Sequence, residues 1–255
     1  MSKKTQRLAL VTGGGGGIGK AVCRRLAQSG MRVIVTDINK ELAEQTASDI
    51  GSGHLAYAMD VACEQSVQQL FQQIETEQGA LSVLVCVAGL LILPNGERPL
   101  IEDTTLDIWD QGFDVNSKGA FLCSREFLRA RKKQPIDGAS VVFFSSVAAQ
   151  LGGYRSSASY IAAKAAVLGY AKAYAREGAA YGITANTVAP GLIDTDMLRN
   201  TVNSSGALNS AAKSIPLQRI GTVDDVANAV DYLVSPQASY LTGSVIDVNG
   251  GYRMQ

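Results

Sequence analysis

The chain has 255 residues, 46% of them apolar and 18% charged, which suits one large globular domain with a sizeable core. Its 23 basic and 23 acidic side chains cancel, and a pI near 6.6 offers no field that would draw nucleic acid or an anionic membrane. Four scattered cysteines without a Cys-x-x-Cys pair give no disulfide framework, and a single histidine, His54, leaves no histidine-based metal site or Ser–His nucleophile.

Lys3, Lys4 and Arg7 precede an apolar run too short for a signal-peptide core, so a cytoplasmic location is expected. Leu8-Ala9-Leu10-Val11-Thr12 reads as a buried strand that runs into the glycines Gly13 to Gly17. A helical pattern then begins through Ala21, Val22, Leu26 and Ala27. Strand, glycine turn and helix start are the parts of a dinucleotide-phosphate site. Missing Cβ atoms let backbone approach a pyrophosphate, and the helix start offers free N–H groups with partial positive charge. The next strand pattern, Arg32 to Thr36, ends at Asp37, whose carboxylate can accept from adenosine ribose hydroxyls and repel a 2′-phosphate. No base follows it, and glycine rather than a base precedes Gly17, so NAD is expected over NADP. A helix N-cap role for Asp37 stays open beside this one.

Further along, helical patterns lie near 40–49, 64–78, 104–133, 158–180 and 223–234. Strand-like runs lie near 54–59, 81–87, 140–145, 184–188 and 244–248. The apolar stretch from Leu81 to Leu93 is too short to span a membrane. Such alternation predicts an α/β fold, a Rossmann-type doubly wound parallel sheet of about seven strands with helices on both faces. No repeat or linker divides it, so residues 1–255 are expected to form a single dinucleotide-binding domain.

Chemistry gathers at Ser146, Tyr160 and Lys164. Tyr160 and Lys164 are one helical turn apart and share a face. A phenol with a pKa near ~10 is a poor base at neutral pH, and a neighbouring ammonium favours its phenolate. A serine hydroxyl both donates and accepts, so Ser146 can hold an alcohol or carbonyl oxygen against the phenol. The set is an acid–base site for alcohol oxidation or ketone reduction.

These strings resemble the short-chain dehydrogenase/reductase family from about residue 6 to the C-terminus. Its Thr-Gly-x-x-x-Gly-x-Gly is matched by Thr12, Gly13, Gly17 and Gly19, with Ile18 between the last two; its Asp-Val after the third strand is matched by Asp60-Val61. Its catalytic set maps onto Asn116, Ser146, Tyr160 and Lys164, and its Pro-Gly-x-x-x-Thr onto Pro190, Gly191 and Thr195, with Ile193 inside. The resemblance implies that Asp60 meets the adenine amino group and Thr195 the nicotinamide carboxamide. It also implies that Lys164 holds the nicotinamide ribose and Asn116 organises a water relay. The family's Asn-Asn-Ala-Gly departs here to Cys86-Val87-Ala88-Gly89; Ala88 and Gly89, which let backbone pass close to the cofactor, are kept. The interval from Ser146 to Tyr160 is one residue longer than in many members, which keeps Ser145 as an alternative serine.

Two segments are expected to shape the substrate pocket: residues 90–98 after the fourth strand, and a flexible lid at about 192–215. Leu151, Tyr154, Met197 and Leu198 would make it mainly apolar, with Arg155 or Arg199 able to reach an acid group. The leading reading is an NAD-dependent oxidoreductase interconverting a secondary alcohol and its ketone. A second resemblance, Val188 to Met197 and Tyr240 to Gly251, points to the 3-oxoacyl-acyl-carrier-protein reductases. Asp37 and Tyr181 count against that reading, while Arg129, Arg131, Lys132 and Lys133 could form part of a carrier dock. A non-catalytic dinucleotide-binding regulator is the third. The long-helix faces with Phe121, Leu122, Phe127, Leu168, Tyr170 and Tyr174, and the segment from Val245 to Met254, point with the resemblance to a homotetramer.

Overall fold

The computed structural model describes residues 6–153, 155–201 and 205–254. Its elements in chain order are β1 (Leu8–Thr12), α1 (Gly17–Gln28), β2 (Arg32–Asp37), α2 (Lys40–Asp49), β3 (Leu55–Ala58), α3 (Glu64–Glu77) and β4 (Val83–Cys86). Then come α4 (Leu106–Phe113), α5 (Gly119–Lys133), β5 (Ala139–Phe144), α6 (Val147–Leu151), α7 (Ala158–Gly178) and β6 (Ile183–Pro190). The chain finishes with α8 (Asp196–Arg199), α9 (Ser205–Lys213), α10 (Val223–Val234) and β7 (Val245–Val248).

The strands form one parallel sheet in the order β3-β2-β1-β4-β5-β6-β7. Strands β1, β4 and β5 are buried along their whole length because helices cover both faces, which is why they read as apolar runs without alternation. Alternate residues feed two separate cores. Leu8, Leu10, Leu84, Cys86 and Phe143 pack against α3, α5 and α7, while Ala9, Val11, Val83, Val85 and Val142 pack against α1 and α10. After β3 the chain crosses back over β1 to pair β4 beside it. That reversal leaves a crevice at the strands' C-terminal ends, between β1 and β4, and the candidate site lies there.

The expected helix over 104–133 is two helices joined by a π turn at Asp114–Lys118 that contains Asn116. Residues 196–214, expected as a loop, contain α8 and α9. α8 starts because the Thr195 hydroxyl accepts from Leu198 N at 3.3 Å, a local cap that apolar periodicity does not register. Asn39, not Asp37, caps α2 by accepting from Leu42 N at 3.0 Å. No described helix is long and apolar enough to cross a membrane, and no described group of three or more His, Cys, Asp or Glu is placed to hold a metal ion.

Two expectations about surfaces change. Leu122, Phe127 and Tyr174 are buried in the chain's own core, so they leave no apolar surplus for a partner. Arg131 is also fully buried rather than part of a basic dock, and is paired with Glu75. Glu75 in turn accepts from Leu81 N at 3.0 Å, so this ion pair ties α3, α5 and the start of β4 together. The Nε and Nη1 atoms of Arg131 have no partner, which makes the pair poorly compensated. Removing one partner of a buried pair costs about 3–5 kcal/mol, whereas replacing both partners by apolar residues is often neutral or stabilising. Glu75→Ala should therefore lower stability by about 3 kcal/mol in urea titration, and adding Arg131→Met to it should recover most of that loss.

Candidate active site

The glycine loop is held at its far end by β2. Gly14 N donates to Thr36 O at 2.9 Å and Gly15 N to Asp37 Oδ2 at 3.0 Å. A Cβ on Gly19 would stand 1.9 Å from Gly13 O, and one on Gly15 would stand 2.8 Å from Asp37 Oδ2. The loop is thus closed to side chains where it meets α1 and β2. Gly16 precedes α1 without a side-chain cap, so the first N–H groups of that helix are left for a ligand. An uncapped helix start behind a Cβ-free loop, with a carboxylate at the next strand end, fits the pyrophosphate and adenosine ribose of a dinucleotide.

From this loop a cleft of about 480 Å³ runs across the sheet's C-terminal edge to the lid. Gly13, Gly17, Ile18, Gly19, Asp37, Ala88 and Gly89 line it on one side of the switch point. Ser146, Tyr160, Lys164, Pro190, Gly191, Ile193 and Thr195 line it on the other. Asp60 and Val61 are not in this lining. Asp60 Oδ1 accepts from Ala62 N at 2.9 Å, and the Val61 side chain packs under Gly119 at the start of α5.

Tyr160 and Lys164 are presented by α7, which begins where the Ser157 hydroxyl accepts from Tyr160 N at 3.4 Å. Burial raises the Tyr160 pKa and the neighbouring Ser146 hydroxyl lowers it. Lys164 is buried, its pKa is pushed down to about 8 by desolvation, and its Nζ donates to Phe144 O at 3.1 Å. Its Nζ lies 5.9 Å from the centre of the Tyr160 ring, and the downward pull on the phenol comes from Ser146. Ser145, the alternative serine, also lines the cleft, but it is buried and its hydroxyl is committed to Lys164 O at 2.8 Å. It pins α7 to the end of β5, a role no motif signalled.

Asn116 is almost fully buried and does not reach the cleft lining. Its Nδ2 donates to Leu90 O at 2.7 Å and Gly112 O at 2.8 Å, and its Oδ1 accepts from Leu90 N at 3.0 Å. A relay through this side chain is left with one lone pair of Oδ1. Asn116 Oδ1 and Lys164 Nζ both border the space over Gly89, 3.0 Å and 3.2 Å from where its Cβ would be.

At the lid end, Leu91, Val147, Ala148, Met197 and Leu198 make the wall mainly apolar, joined by Thr201, Ser156 and Arg155. Leu151 is half exposed on α6 and outside the lining, and Tyr154 lies outside the described residues. Arg199 is engaged with Asp194 at 2.9 Å and 3.1 Å, so of the two candidate arginines only Arg155 lines the cleft. Leu91 and Thr201 fall inside the two segments expected to shape the pocket, and Val87 inside the departed motif, whereas Ser156, a loop residue of ordinary type, carried no pattern.

Gly89→Ala tests the tight space over Gly89. The added methyl must displace Asn116 or Lys164, and misplacements near 1 Å cost about a hundredfold. A fall in kcat of at least about tenfold with an unchanged circular dichroism spectrum is expected; full activity would contradict the packing.

Comparison with known proteins agrees with this geometry. A family profile described as Enoyl-(Acyl carrier protein) reductase matches residues 14–253. The 3-oxoacyl-acyl-carrier-protein reductase of Mus musculus is 36% identical over 248 residues, covering 97% of this chain and 98% of that one. The corresponding enzyme of Vibrio cholerae is 34% identical over the same shares. A crystal structure from Brucella melitensis, titled a short-chain dehydrogenase/reductase of the glucose/ribitol dehydrogenase type, superposes with a TM-score of 0.88 at 27% identity, covering 98% of this chain and 97% of the other. Matched along nearly its whole length, the chain belongs to the short-chain dehydrogenase/reductase family, oxidoreductases that act on CH–OH groups with a nicotinamide dinucleotide.

Proposed function

We propose that this chain interconverts 3-oxoacyl and 3-hydroxyacyl groups, with NAD(H) as the cofactor and Tyr160 as the general acid and base. The observation that carries the reaction type is that Ser146, Tyr160 and Lys164 line one cleft together with a glycine loop that excludes side chains. The acyl part rests on the names of relatives that match over nearly the full length. The choice of NAD rests on Asp37, whose carboxylate borders the cleft at the loop.

A bound nicotinamide dinucleotide supplies or accepts the hydride. The uncapped start of α1 would hold its pyrophosphate and Asp37 its adenosine ribose; by family resemblance Lys164 would hold the other ribose and Thr195 the carboxamide. In the reduction direction the Tyr160 hydroxyl gives its proton to the forming alkoxide, and the Ser146 hydroxyl donates to the same oxygen. Lys164 sits one turn behind Tyr160 and, as an ammonium, stabilises the phenolate left behind. In the oxidation direction each of these steps runs backwards, and the Tyr160 phenolate removes the hydroxyl proton.

A second reading, a small secondary alcohol free of any carrier, is favoured by the charges of α5. Arg131 is buried with Glu75, Arg129 pairs with Glu126 at 2.8 Å and Lys132 with Glu177 at 3.0 Å. Little of the expected cationic dock remains for an acidic carrier. The proposed assembly is a homotetramer, a reading supported by Leu106, Trp109 and Phe121 exposed on α4 and α5 and by β7 as an edge strand with one side unpaired.

Tyr160→Phe should bind NADH as the wild type does and lose turnover of acetoacetyl thioesters and of secondary alcohols by at least about a thousandfold. More than a tenth of wild-type turnover would remove Tyr160 from the mechanism. NADH should give the higher kcat/KM than NADPH, and Asp37→Ala should erode that ratio by about tenfold or more, seen in KM for the cofactor.

The pH profile has a definite sign. Burial holds the Tyr160 pKa above its ordinary value, so the protonated acid needed for reduction persists and its loss brings the reductive rate down only on the alkaline side. Oxidation needs the phenolate, so its rate should climb with pH across the same range. Opposite slopes in the two directions are expected; parallel slopes would contradict the assignment. Light scattering at micromolar concentration checks the assembly, with four times 26.8 kDa expected and a single-chain mass contradicting it.

A further inference from the structure

The loop between Ser146 and Tyr160 does more than connect two catalytic side chains. α6 ends at Gly152, which caps it at φ 81°, and Gly153 follows at φ 41°, a pair of left-handed residues that reverses the chain at once. A Cβ on Gly153 would lie 3.0 Å from the Ala148 Cβ, so the turn is pressed onto α6. From the other side, Arg98 donates to Gly153 O at 3.1 Å, fastening this turn to the segment that follows β4. Ser157 then caps α7. Between these two fixed points Arg155 and Ser156 line the cleft, next to Val147, Ala148, Met197 and Leu198.

Arginines elsewhere in this chain are mostly spoken for. Arg7 donates to Val234 O and Gly138 O, Arg24 pairs with Asp224, Arg199 with Asp194, Arg219 with Asp225 and Arg253 with Asp247. Arg155 has no hydrogen bond or ion pair among the described residues. Asp196 also lines the cleft, and no ion pair joins the two. A guanidinium is charged at every pH the protein meets, and its donors form a planar fork that matches a carboxylate or phosphate. Placed on a mainly apolar wall of the cleft that also holds Ser146 and Tyr160, an uncommitted fork selects for an oxyanion on the bound molecule.

We infer that Arg155 anchors an anionic group of the substrate, so that the chain acts on oxo and hydroxy compounds carrying a carboxylate or phosphate in preference to their neutral counterparts. This rests on the hydride-transfer reading of the cleft and adds to it a feature of the substrate. It also agrees with the extra residue in the interval from Ser146 to Tyr160, since that interval contains the loop bearing Arg155. The other cation in the cleft lining, Lys164, donates to Phe144 O.

Binding and turnover separate this inference from the reading it rests on. In the first arm, inert butyrate and methyl phosphate are titrated into the NADH complex of the wild type and of Arg155→Gln, with nicotinamide fluorescence as the signal. One or both anions should bind the wild type, and affinity should fall by about tenfold to a hundredfold in the variant, as expected for a charge-assisted pair. Which anion loses more identifies carboxylate or phosphate as the group. In the second arm, acetoacetate is compared with methyl acetoacetate. The wild type should favour the acid, and Arg155→Gln should reduce that acid-over-ester ratio in kcat/KM by about tenfold, through KM, with Arg155→Lys recovering part of it. Equal binding of both anions to wild type and variant, or an unchanged acid-over-ester ratio, overturns the role of Arg155. Anion binding that depends on Arg155 together with no turnover of any ketone supports the anchor and overturns the hydride-transfer reading instead.

Discussion

One carboxamide holds the catalytic end of the cleft together. The Asn116 side chain bonds both backbone groups of Leu90 and the carbonyl of Gly112, so the chain leaving β4 is fixed to the turn between α4 and α5. The π turn is what makes this possible, because it rotates Asn116 out of the register that a continuous helix would give it. Gly89 lies directly under the same oxygen and beside Lys164 Nζ. If the carboxamide let go, Leu90, Gly89 and Lys164 would lose their common reference, and Tyr160 would lose the cation one turn behind it.

That dependence explains the distribution of burial in the site. Asn116, Ser145 and Lys164 are buried and bonded to backbone, while Tyr160 and Ser146 keep their polar atoms toward the cleft. The buried groups bear the cost of desolvation, visible in the depressed pKa of Lys164, and are held by donors and acceptors that do not move. Cys86 contributes here: it is buried and feels Lys164, and it stands where many relatives have an asparagine. Its own pull on Lys164 is upward, so the low pKa of the ammonium comes from desolvation.

Strands β1, β4 and β5 were legible because burial on both faces leaves uninterrupted apolar runs, and the glycine loop because no side chain fits where Gly19 meets Gly13. Tyr160 and Lys164 were legible from helical spacing, and Asp37 from its place at a strand end. The break at Asn116 was not, since a π turn changes backbone bonding without changing the apolar period. The burial of Arg131 was equally invisible: a basic residue near a helix end looks like a solvated charge until its partner, Glu75 on α3, is brought to it by the fold. The helices after Thr195 rest on a local cap and a polar sequence, which read as loop.

The proposed chemistry requires direct hydride transfer at the carbon whose oxygen Ser146 and Tyr160 would hold. The most direct measurement uses NADH deuterated at nicotinamide C4 and follows reduction of an acetoacetyl thioester by mass spectrometry and proton NMR. One deuterium at the carbinol carbon of the product, and none after Tyr160→Phe under the same conditions, is the predicted result. Product formed without deuterium at that carbon, or deuterium transferred equally well by the phenylalanine variant, would contradict it.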